Sequence, residues 1–278
     1  MLIFNKNNTC SFLKFFLFIF SLTISFFLHA EKYVFNMISL GDSISTGFNA
    51  GSFGNNKKYS WATGYDGENV KSHLWHLREL FLEKEIYAQN LAIPGSQSNK
   101  LKKQLEKIKD LKVDYATIMV GSNDICNWKK DYQKEITHFK NNLKDTVDIL
   151  IEQSPEIKIL MLPIPDLYHL WKVSPKKRCQ WRWNFFRLCT PLLHSKRTDE
   201  ERLAFKKRIH KINDHIENLS FNYPDNLLFI SELEKFKFQK EHISQRDCFH
   251  PSVAGQDLLA RFTWQKGWFA EKNLVTSN

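Results

Sequence analysis

Four short motifs hold the residues of this chain that are best suited to nucleophilic catalysis. They are Gly41-Asp42-Ser43, Asn90 to Gly95, Gly121 to Asp124, and Asp247 to His250. A serine hydroxyl is a weak nucleophile until a neighbouring base takes its proton. His250 can be that base for Ser43, and Asp247, three residues before it, can hold the imidazole in the required tautomer. These residue types predict attack of a serine on an acyl carbonyl.

The attack also requires hydrogen-bond donors for the oxyanion that forms. The candidates are the backbone N–H groups of Ser43 and Gly95 and the side-chain amide of Asn123. Gly95 has no side chain, so a substrate can approach its backbone closely. Each motif alone is typical of an ordinary turn or helix start. Their combination, in this order along the chain, favours a catalytic site.

The elements that must position these motifs follow from an alternation of short apolar runs with longer, charged, periodic stretches. We predict strands at 33–40, 85–92, 114–121, 156–163 and 226–231, and helices near 68–84, 98–110, 131–153, 199–220 and 253–270. Strands that alternate with helices predict an α/β fold with a mostly parallel five-stranded sheet covered on both faces. We expect all four motifs to gather along the edge formed by the carboxyl ends of the strands, where such sheets carry their sites.

The first thirty residues have the layout of a secretory signal. Lys6 and Lys14 precede a run without charge from Phe15 to Leu28, and the segment ends at Ala30. A membrane-spanning helix needs about 20 apolar residues, which favours a cleaved signal over a retained anchor. We therefore expect an exported protein with one domain at 31–278, and leave open a periplasmic, extracellular or lumenal location.

Export affects the interpretation of the cysteines. Cys126, Cys179, Cys189 and Cys248 remain after residue 30. An even number of cysteines in an oxidising compartment predicts two disulfides, with three possible connectivities. No C-x-x-C pair is present, which argues against a structural zinc site.

The net charge and the spacing of two histidines raise two further possibilities, a nucleic-acid partner and a metal site, which we consider less favourable than a catalytic serine. The formal net charge of +10 is compatible with an acidic partner, but no recognised nucleic-acid-binding motif accompanies it. His73 and His76 lie on one side of a predicted helix without a third ligand, so we expect a solvated face rather than a metal site. We expect no metal, no cofactor, no nucleic acid, and a monomer.

The four motifs together resemble the SGNH, or GDSL, hydrolase family. Ser43, Gly95, Asn123 and His250 match its four invariant letters in their usual order, and the likeness runs from Met37 to Trp264. It implies a three-layer α/β/α flavodoxin-like fold and metal-free ester hydrolysis by a triad of Ser43, His250 and Asp247. Gly95 and Asn123 would complete the oxyanion hole with Ser43. The usual leucine after Gly-Asp-Ser is Ile44 here.

Secondary motifs are similar to the phospholipase B branch of that family. They are Ser60 to Gly64, Asn123 to Cys126, the Cys179–Cys189 spacing and Asp247 to His250. The resemblance implies cleavage of phospholipids or lysophospholipids. Acyl transfer to a sterol, carbohydrate O-deacetylation and non-catalytic lipid or glycan binding remain alternatives.

For the disulfides we predict Cys126–Cys248 and Cys179–Cys189. Cys126 and Cys248 each lie within three residues of a motif residue, Asn123 and His250, that must face the same site. A bridge requires Cα atoms about 4.4–6.8 Å apart, which two adjacent loops can reach.

One segment, 166–197, is too long for an ordinary connection. Its aromatic residues lie among lysines and arginines, and four of them, Trp181, Trp183, Phe185 and Phe186, are candidates for contact with a lipid surface. Tryptophan favours the membrane–water boundary, and nearby cations favour an anionic surface. Packing of the same rings into a satellite core is the alternative.

Overall fold

A parallel sheet of five strands forms the centre of the structure. The computed structural model describes residues 34–127 and 132–270, so the predicted signal at 1–30 lies outside the described residues. The strands are β1 Val34–Gly41, β2 Glu85–Asn90, β3 Tyr115–Met119, β4 Lys158–Met161 and β5 Leu227–Phe229. Their order in the sheet is β2-β1-β3-β4-β5, and every neighbouring pair is parallel. The predicted α/β fold with a five-stranded sheet is therefore confirmed.

Helices connect the strands. The α-helices are α1 His73–Leu80, α2 Leu101–Leu105, α3 Ser122–Asn127, α4 Tyr132–Gln153, α5 Leu167–Val173, α6 Lys176–Phe185, α7 Thr190–Leu193, α8 Asp199–Ser220, α9 Glu232–Lys235 and α10 Val253–Gln265. Single 3₁₀ turns lie at Lys57–Tyr59, Ser98–Lys100, Glu106–Ile108 and Lys240–His242.

Three predicted helices differ from the structure in length or continuity. The helix expected near 253–270 ends at Gln265 as α10. The helix expected near 68–84 is only α1, because the Ser72 hydroxyl caps its N-terminus by accepting from the N–H of Trp75 at 3.1 Å. The helix expected near 98–110 is instead a series of three short pieces: a 3₁₀ turn, α2, and a second 3₁₀ turn. The periodic pattern identified these segments as helical but not where they begin and end.

The central strands β1, β3 and β4 are buried on both faces, which gives the three layers. In β1, Met37 packs on one side of the sheet with α1 and α10, while Ile38 and Leu40 pack on the other with α2, α4 and α8. Adjacent strand residues point to opposite faces, so a strand covered on both sides reads as a continuous apolar run.

The 166–197 segment folds into α5, α6 and α7 rather than an extended loop. Its Trp183, Leu192 and Leu193 join the larger core cluster. Within the described residues, no helix is both long and apolar enough to cross a membrane.

Candidate active site

The turn after β1 presents Ser43 at the carboxyl edge of the sheet. Gly41 has a φ of +132°, and a Cβ built on it would lie 2.0 Å from the carbonyl oxygen of Met119 in β3. Only glycine fits this position, because any side chain would collide with the backbone of the next strand. The side chain of Asp42 stabilises the turn by accepting the N–H of Ile44 at 2.9 Å. The Gly-Asp part of the motif thus fixes the direction in which the chain leaves the sheet.

Ser43, His250 and Asp247 form a continuous series of hydrogen bonds. The hydroxyl of Ser43 lies 2.8 Å from His250 Nε2, and His250 Nδ1 lies 2.6 Å from Asp247 Oδ2. A carboxylate only accepts, so Nδ1 carries the proton and leaves Nε2 free to accept from the serine. All three residues are buried. This arrangement matches a nucleophile, a general base and a group that orients the base.

The loop that carries Asp247 and His250 is held from several directions. Asp247 Oδ1 accepts the N–H groups of Phe249 and His250 at 2.8 and 3.0 Å, which closes a tight turn. Backbone pairing of Ile243 with Pro251, and the Ser244 N–H to His250 carbonyl bond of 2.8 Å, fix the position of His250 before α10.

A fourth side chain, that of Asn49, binds Asp247. Its Nδ2 donates to Asp247 Oδ2 at 2.5 Å, and the backbone carbonyl of Asn49 accepts the Ser244 hydroxyl at 2.6 Å. Burial alone would raise the pKa of Asp247, but the hydrogen bonds from His250 and Asn49 outweigh that effect and lower the pKa. Sequence reasoning missed Asn49. The only signal was an asparagine in a turn, a residue type that tolerates the left-handed φ of 57° found here.

Two of the predicted oxyanion donors are backbone N–H groups that have no hydrogen-bond acceptor among the described residues. Within the described part of the chain, the backbone N–H groups of Ser43 and Gly95 make no hydrogen bond to another protein group. Gly95 is exposed and has a φ of +76°, and a Cβ on it would meet nothing within 4 Å. Glycine is therefore required at 95 by backbone conformation, and the space above it is open to a substrate.

Asn123 reaches the same region from the first turn of α3. Its Nδ2 donates to the Ser96 carbonyl at 3.1 Å and more weakly to Asp42 Oδ2 at 3.4 Å. The amide must give up one of these partners to bind an oxyanion, and the longer bond to Asp42 is the weaker. Complete burial raises the pKa of Asp42 to about 7.

Gln104 and Asp124 hold the loops around Ser43 and Gly95 in place. Gln104 was not predicted, and Asp124 was named only as the last residue of the third motif. The buried Gln104 amide accepts the Gly41 N–H at 2.9 Å and donates to the Gly41 carbonyl at 2.8 Å. Asp124 in α3 accepts from the N–H of Ser98 at 3.0 Å and from its hydroxyl at 2.7 Å, which ties the Gly95 loop to the helix of Asn123. Burial raises the pKa of Asp124 to about 6.

Comparison with known families agrees with this geometry. A family model described as GDSL-like lipase/acylhydrolase matches residues 37–262. The chain belongs to this family. It is therefore a carboxylic ester hydrolase, as the motifs predicted.

Solved structures of similar fold include several hydrolases. The extracellular lipase from Streptomyces rimosus has a TM-score of 0.51 at 16% identity, over 82% of this chain and 98% of the lipase. Phospholipase A1 from Streptomyces albidoflavus NA297 has a TM-score of 0.50 at 16% identity, over 87% of this chain and 99% of the other. TesA has a TM-score of 0.50 at 16% identity, over 82% and 96%. The comparison with curated proteins gave no match. At these identities the similarity concerns the fold alone.

The disulfide pairing of this GDSL-like hydrolase differs from the prediction. Cys126 pairs with Cys189, and Cys179 pairs with Cys248, with Cα atoms 4.6 and 5.5 Å apart. The predicted Cys126–Cys248 and Cys179–Cys189 bridges are wrong because α6 and α7 fold back against the catalytic loops. Each loop is thereby joined to the 166–197 segment instead of to the other loop.

Trp183 does not have the exposed position expected of a lipid contact. Its side chain is 1% exposed, and its Nε1 donates to the Cys248 carbonyl at 3.0 Å. Trp181, Phe185 and Phe186 are exposed. Trp183 therefore packs into the core, as the alternative interpretation expected. It faces inward from α6 beside the buried Cys179.

His73 does not lie on a solvated face. It is fully buried, with Nδ1 2.7 Å from the Tyr115 hydroxyl and Nε2 2.8 Å from that of Thr263. Burial lowers its pKa to about 3, and that of His76 to about 4. Among the described residues, no group of three or more His, Cys, Asp or Glu side chains is placed to hold a metal ion.

Proposed function

We propose that this protein is an exported serine esterase that hydrolyses lipid acyl esters through Ser43, His250 and Asp247. The observation that carries the proposal is the unbroken hydrogen-bond series from Asp247 to His250 to Ser43. It is supported by the N–H groups of Ser43 and Gly95, which make no hydrogen bond to a protein acceptor among the described residues. A binding protein has no need of this arrangement, because it does not have to activate a hydroxyl.

The first half of the reaction forms an acyl-enzyme. Ser43 Oγ attacks the ester carbonyl carbon while its proton moves to His250 Nε2. The N–H groups of Ser43 and Gly95, with the Asn123 amide, bind the oxyanion. The intermediate collapses, the bond to the alcohol oxygen breaks, and His250 returns its proton to that oxygen.

The second half releases the acid. Water gives a proton to His250 Nε2, attacks the acyl carbonyl on Ser43, and the proton then returns to Ser43 Oγ as the carboxylic acid leaves. Asp247 stays ionised throughout and stabilises the charged imidazole. Its lowered pKa supports this role.

An apolar cavity beside His250 supports an apolar acyl group as the substrate. It has a volume of about 50 Å³, and its lining includes Ile44, Leu167, Leu170, Phe238 and Phe249. We infer that it holds the part of the acyl chain nearest the carbonyl. The motifs similar to the phospholipase B branch favour a phospholipid or lysophospholipid. The small volume favours a second candidate, release of a short acyl group such as acetyl from a carbohydrate.

Export is part of the proposal. The two disulfides are typical of an oxidising compartment. A mass measurement of the mature N-terminus tests the expected cleavage after Ala30.

Three measurements test the function. A fluorophosphonate probe should label the protein but not Ser43→Ala, and His250→Ala should label far more slowly. Rates on soluble esters of increasing acyl length should then separate the candidates: a maximum at acetate favours deacetylation. Mass spectrometry of products from mixed lipids, with and without sterol, separates hydrolysis from acyl transfer. Labelling of Ser43→Ala at the rate of the native protein would exclude the proposed nucleophile.

A further inference from the structure

Helix α6 has two apolar faces, and only one of them is buried. Cys179 and Trp183 face inward, whereas Trp181 and Phe185, one helical turn apart, face outward and stack with ring centroids 5.2 Å apart. Phe186 lies edge-on to Phe185 at 5.1 Å. We call Trp181, Phe185 and Phe186 the aromatic ridge. Their exposed fractions are 61%, 66% and 52%.

An exposed cluster of three large rings is unusual on a folded chain. Single exposed apolar side chains are common, but contiguous apolar patches mark surfaces that bind a protein or a membrane. The rings touch one another, so they form one patch rather than scattered exposures.

The segment that carries the ridge has charge of a single sign. From Leu167 to Thr198 the sequence contains no Asp or Glu. It contains eight lysines and arginines: Lys172, Lys176, Lys177, Arg178, Arg182, Arg187, Lys196 and Arg197. Lys177 precedes Trp181 by one turn, Arg187 follows Phe186, and both side chains are exposed. A partner that covers the rings therefore meets cations, which favours an anionic surface.

The helix is firmly attached to the catalytic loop. Cys179 is bonded to Cys248, and Trp183 Nε1 donates to the Cys248 carbonyl. Arg178 and Arg182 donate to the carbonyls of Gln245 and Arg246 at 2.8 and 3.0 Å. The ridge consequently has a fixed position relative to Asp247 and His250.

We propose that the aromatic ridge and its cations dock this protein on an anionic phospholipid surface. Aromatic rings and basic residues are the side chains that favour the membrane interface. A second copy of the chain is a poorer occupant, because face-to-face pairing would bring two segments of positive charge together. The choice of lipid rests on the proposed function, but docking is tested below without turnover.

Vesicle partitioning of Ser43→Ala protein is the direct test. Vesicles of phosphatidylglycerol with phosphatidylcholine should bind it, and vesicles of phosphatidylcholine alone should bind it much less. Adding Trp181→Ala and Phe185→Ala should lower the partition coefficient by about tenfold or more, since binding scales with buried apolar area. Adding Lys177→Gln and Arg187→Gln instead should lower it by about fivefold per charge, an effect that salt also produces.

Matched controls come from the opposite edge of the sheet. Phe221, which is 70% exposed and precedes β5, supplies Phe221→Ala. Lys109 and Lys112, exposed before β3, supply Lys109→Gln with Lys112→Gln. These variants should bind vesicles like the parent protein. Equal losses in the controls, or equal binding to both vesicle types, would overturn the proposal.

A second readout covers the case in which the double alanine variant is destabilised. Brominated lipid should quench part of the tryptophan fluorescence, and Trp181→Phe, which keeps an aromatic ring, should remove much of that quenching while binding persists. Unchanged quenching in Trp181→Phe would contradict insertion of the ridge. Ridge-dependent binding of an RNA oligonucleotide, or ridge-dependent dimerisation, without vesicle binding would assign the surface to another partner. Hydrolysis of a soluble ester by ridge variants with Ser43 intact reports separately on the proposed function.

Discussion

Substitution of Asn49 tests how strongly the acid of the triad depends on a neighbour outside it. Asn49 Nδ2 donates to Asp247 Oδ2 at 2.5 Å, the same oxygen that accepts His250 Nδ1 at 2.6 Å. A hydrogen bond to a charged group contributes about 1.5–3 kcal/mol. If that stabilisation is lost while Asp247 supports the charged imidazole, turnover should fall roughly 10- to 150-fold, at tenfold per 1.36 kcal/mol.

Asn49→Gly is the variant to measure first. Glycine accepts the φ of 57° at this position without strain, so the change removes the side chain and leaves the turn conformation allowed. We expect kcat on a soluble short-chain ester to fall with little change in KM, because the Asn49 amide donates to Asp247, which acts on the reaction through His250. Asn56→Ala is the matched control: Asn56 bonds Ser52 and Gly54 in the same loop and makes no hydrogen bond to Asp247. Its kcat should stay near that of the native enzyme.

Asn49→Asp adds a readout that a purely structural role does not produce. Two carboxyls that share a site cannot both ionise easily, so one of them has a strongly raised pKa. At low pH the protonated new carboxyl can donate to Asp247 as Asn49 does. As the pH rises it ionises and repels Asp247. The ratio of variant to native kcat should therefore fall with rising pH for Asn49→Asp and stay flat for Asn49→Gly. Native turnover in Asn49→Gly, or a flat ratio in Asn49→Asp, would refute the role given to Asn49.

Three further predictions concern the oxyanion side, the core and the disulfides. Asn123→Ala should lower kcat on the order of 10²-fold as one oxyanion donor is lost, with KM nearly unchanged, and native kcat would exclude that role. The pKa of His73 is about 3 when folded and ordinarily 6.5, so its contribution to stability is complete above pH 6.5 and declines as the pH falls towards 3. Its imidazole NMR signals should accordingly not titrate between pH 8 and 4, and a midpoint near 6.5 would contradict its burial. Non-reducing peptide mapping should recover Cys126 with Cys189 and Cys179 with Cys248, and removing the second pair should lower the free energy of unfolding by about 4 kcal/mol in the chain-entropy account of a 69-residue loop.

The sheet was predictable because its strands are short apolar runs with a helix between each pair. Each of β1 to β5 overlaps a predicted run, and the apolar signal is strongest for β1, β3 and β4, which are buried on both faces. Helix ends were less predictable, since they depend on caps such as Ser72 and on breaks such as the 3₁₀ turns around α2. Three of the four motifs fell at the sheet edge because they follow β1, β2 and β3, and parallel strands place all their carboxyl ends together. The fourth reaches Ser43 from the loop before α10.

Residues that act through long-range contacts left no local pattern. Asn49 hydrogen-bonds Asp247, which is 198 residues away in the sequence, and Gln104 hydrogen-bonds Gly41, which is 63 residues away. Asparagine and glutamine are common in turns and helices, so nothing in their surroundings indicated these partners. The solvated face that we expected for His73, on the ground that no third metal ligand was evident, was wrong. His73 is buried because Tyr115 and Thr263 satisfy both of its nitrogens.

The disulfide error has a physical origin in what the 166–197 segment does. The prediction treated that segment as a self-contained loop and the two catalytic loops as direct neighbours. The structure instead places the segment between them: Cys189 joins it to α3, the helix of Asn123, and Cys179 joins it to the loop of Asp247 and His250. Asn123 on α3 and the loop of Asp247 and His250 are therefore fixed to one common segment. Trp181 and Phe185 lie on that same segment. A surface that binds the aromatic ridge therefore holds a segment that is disulfide-bonded both to α3 and to the loop of Asp247 and His250.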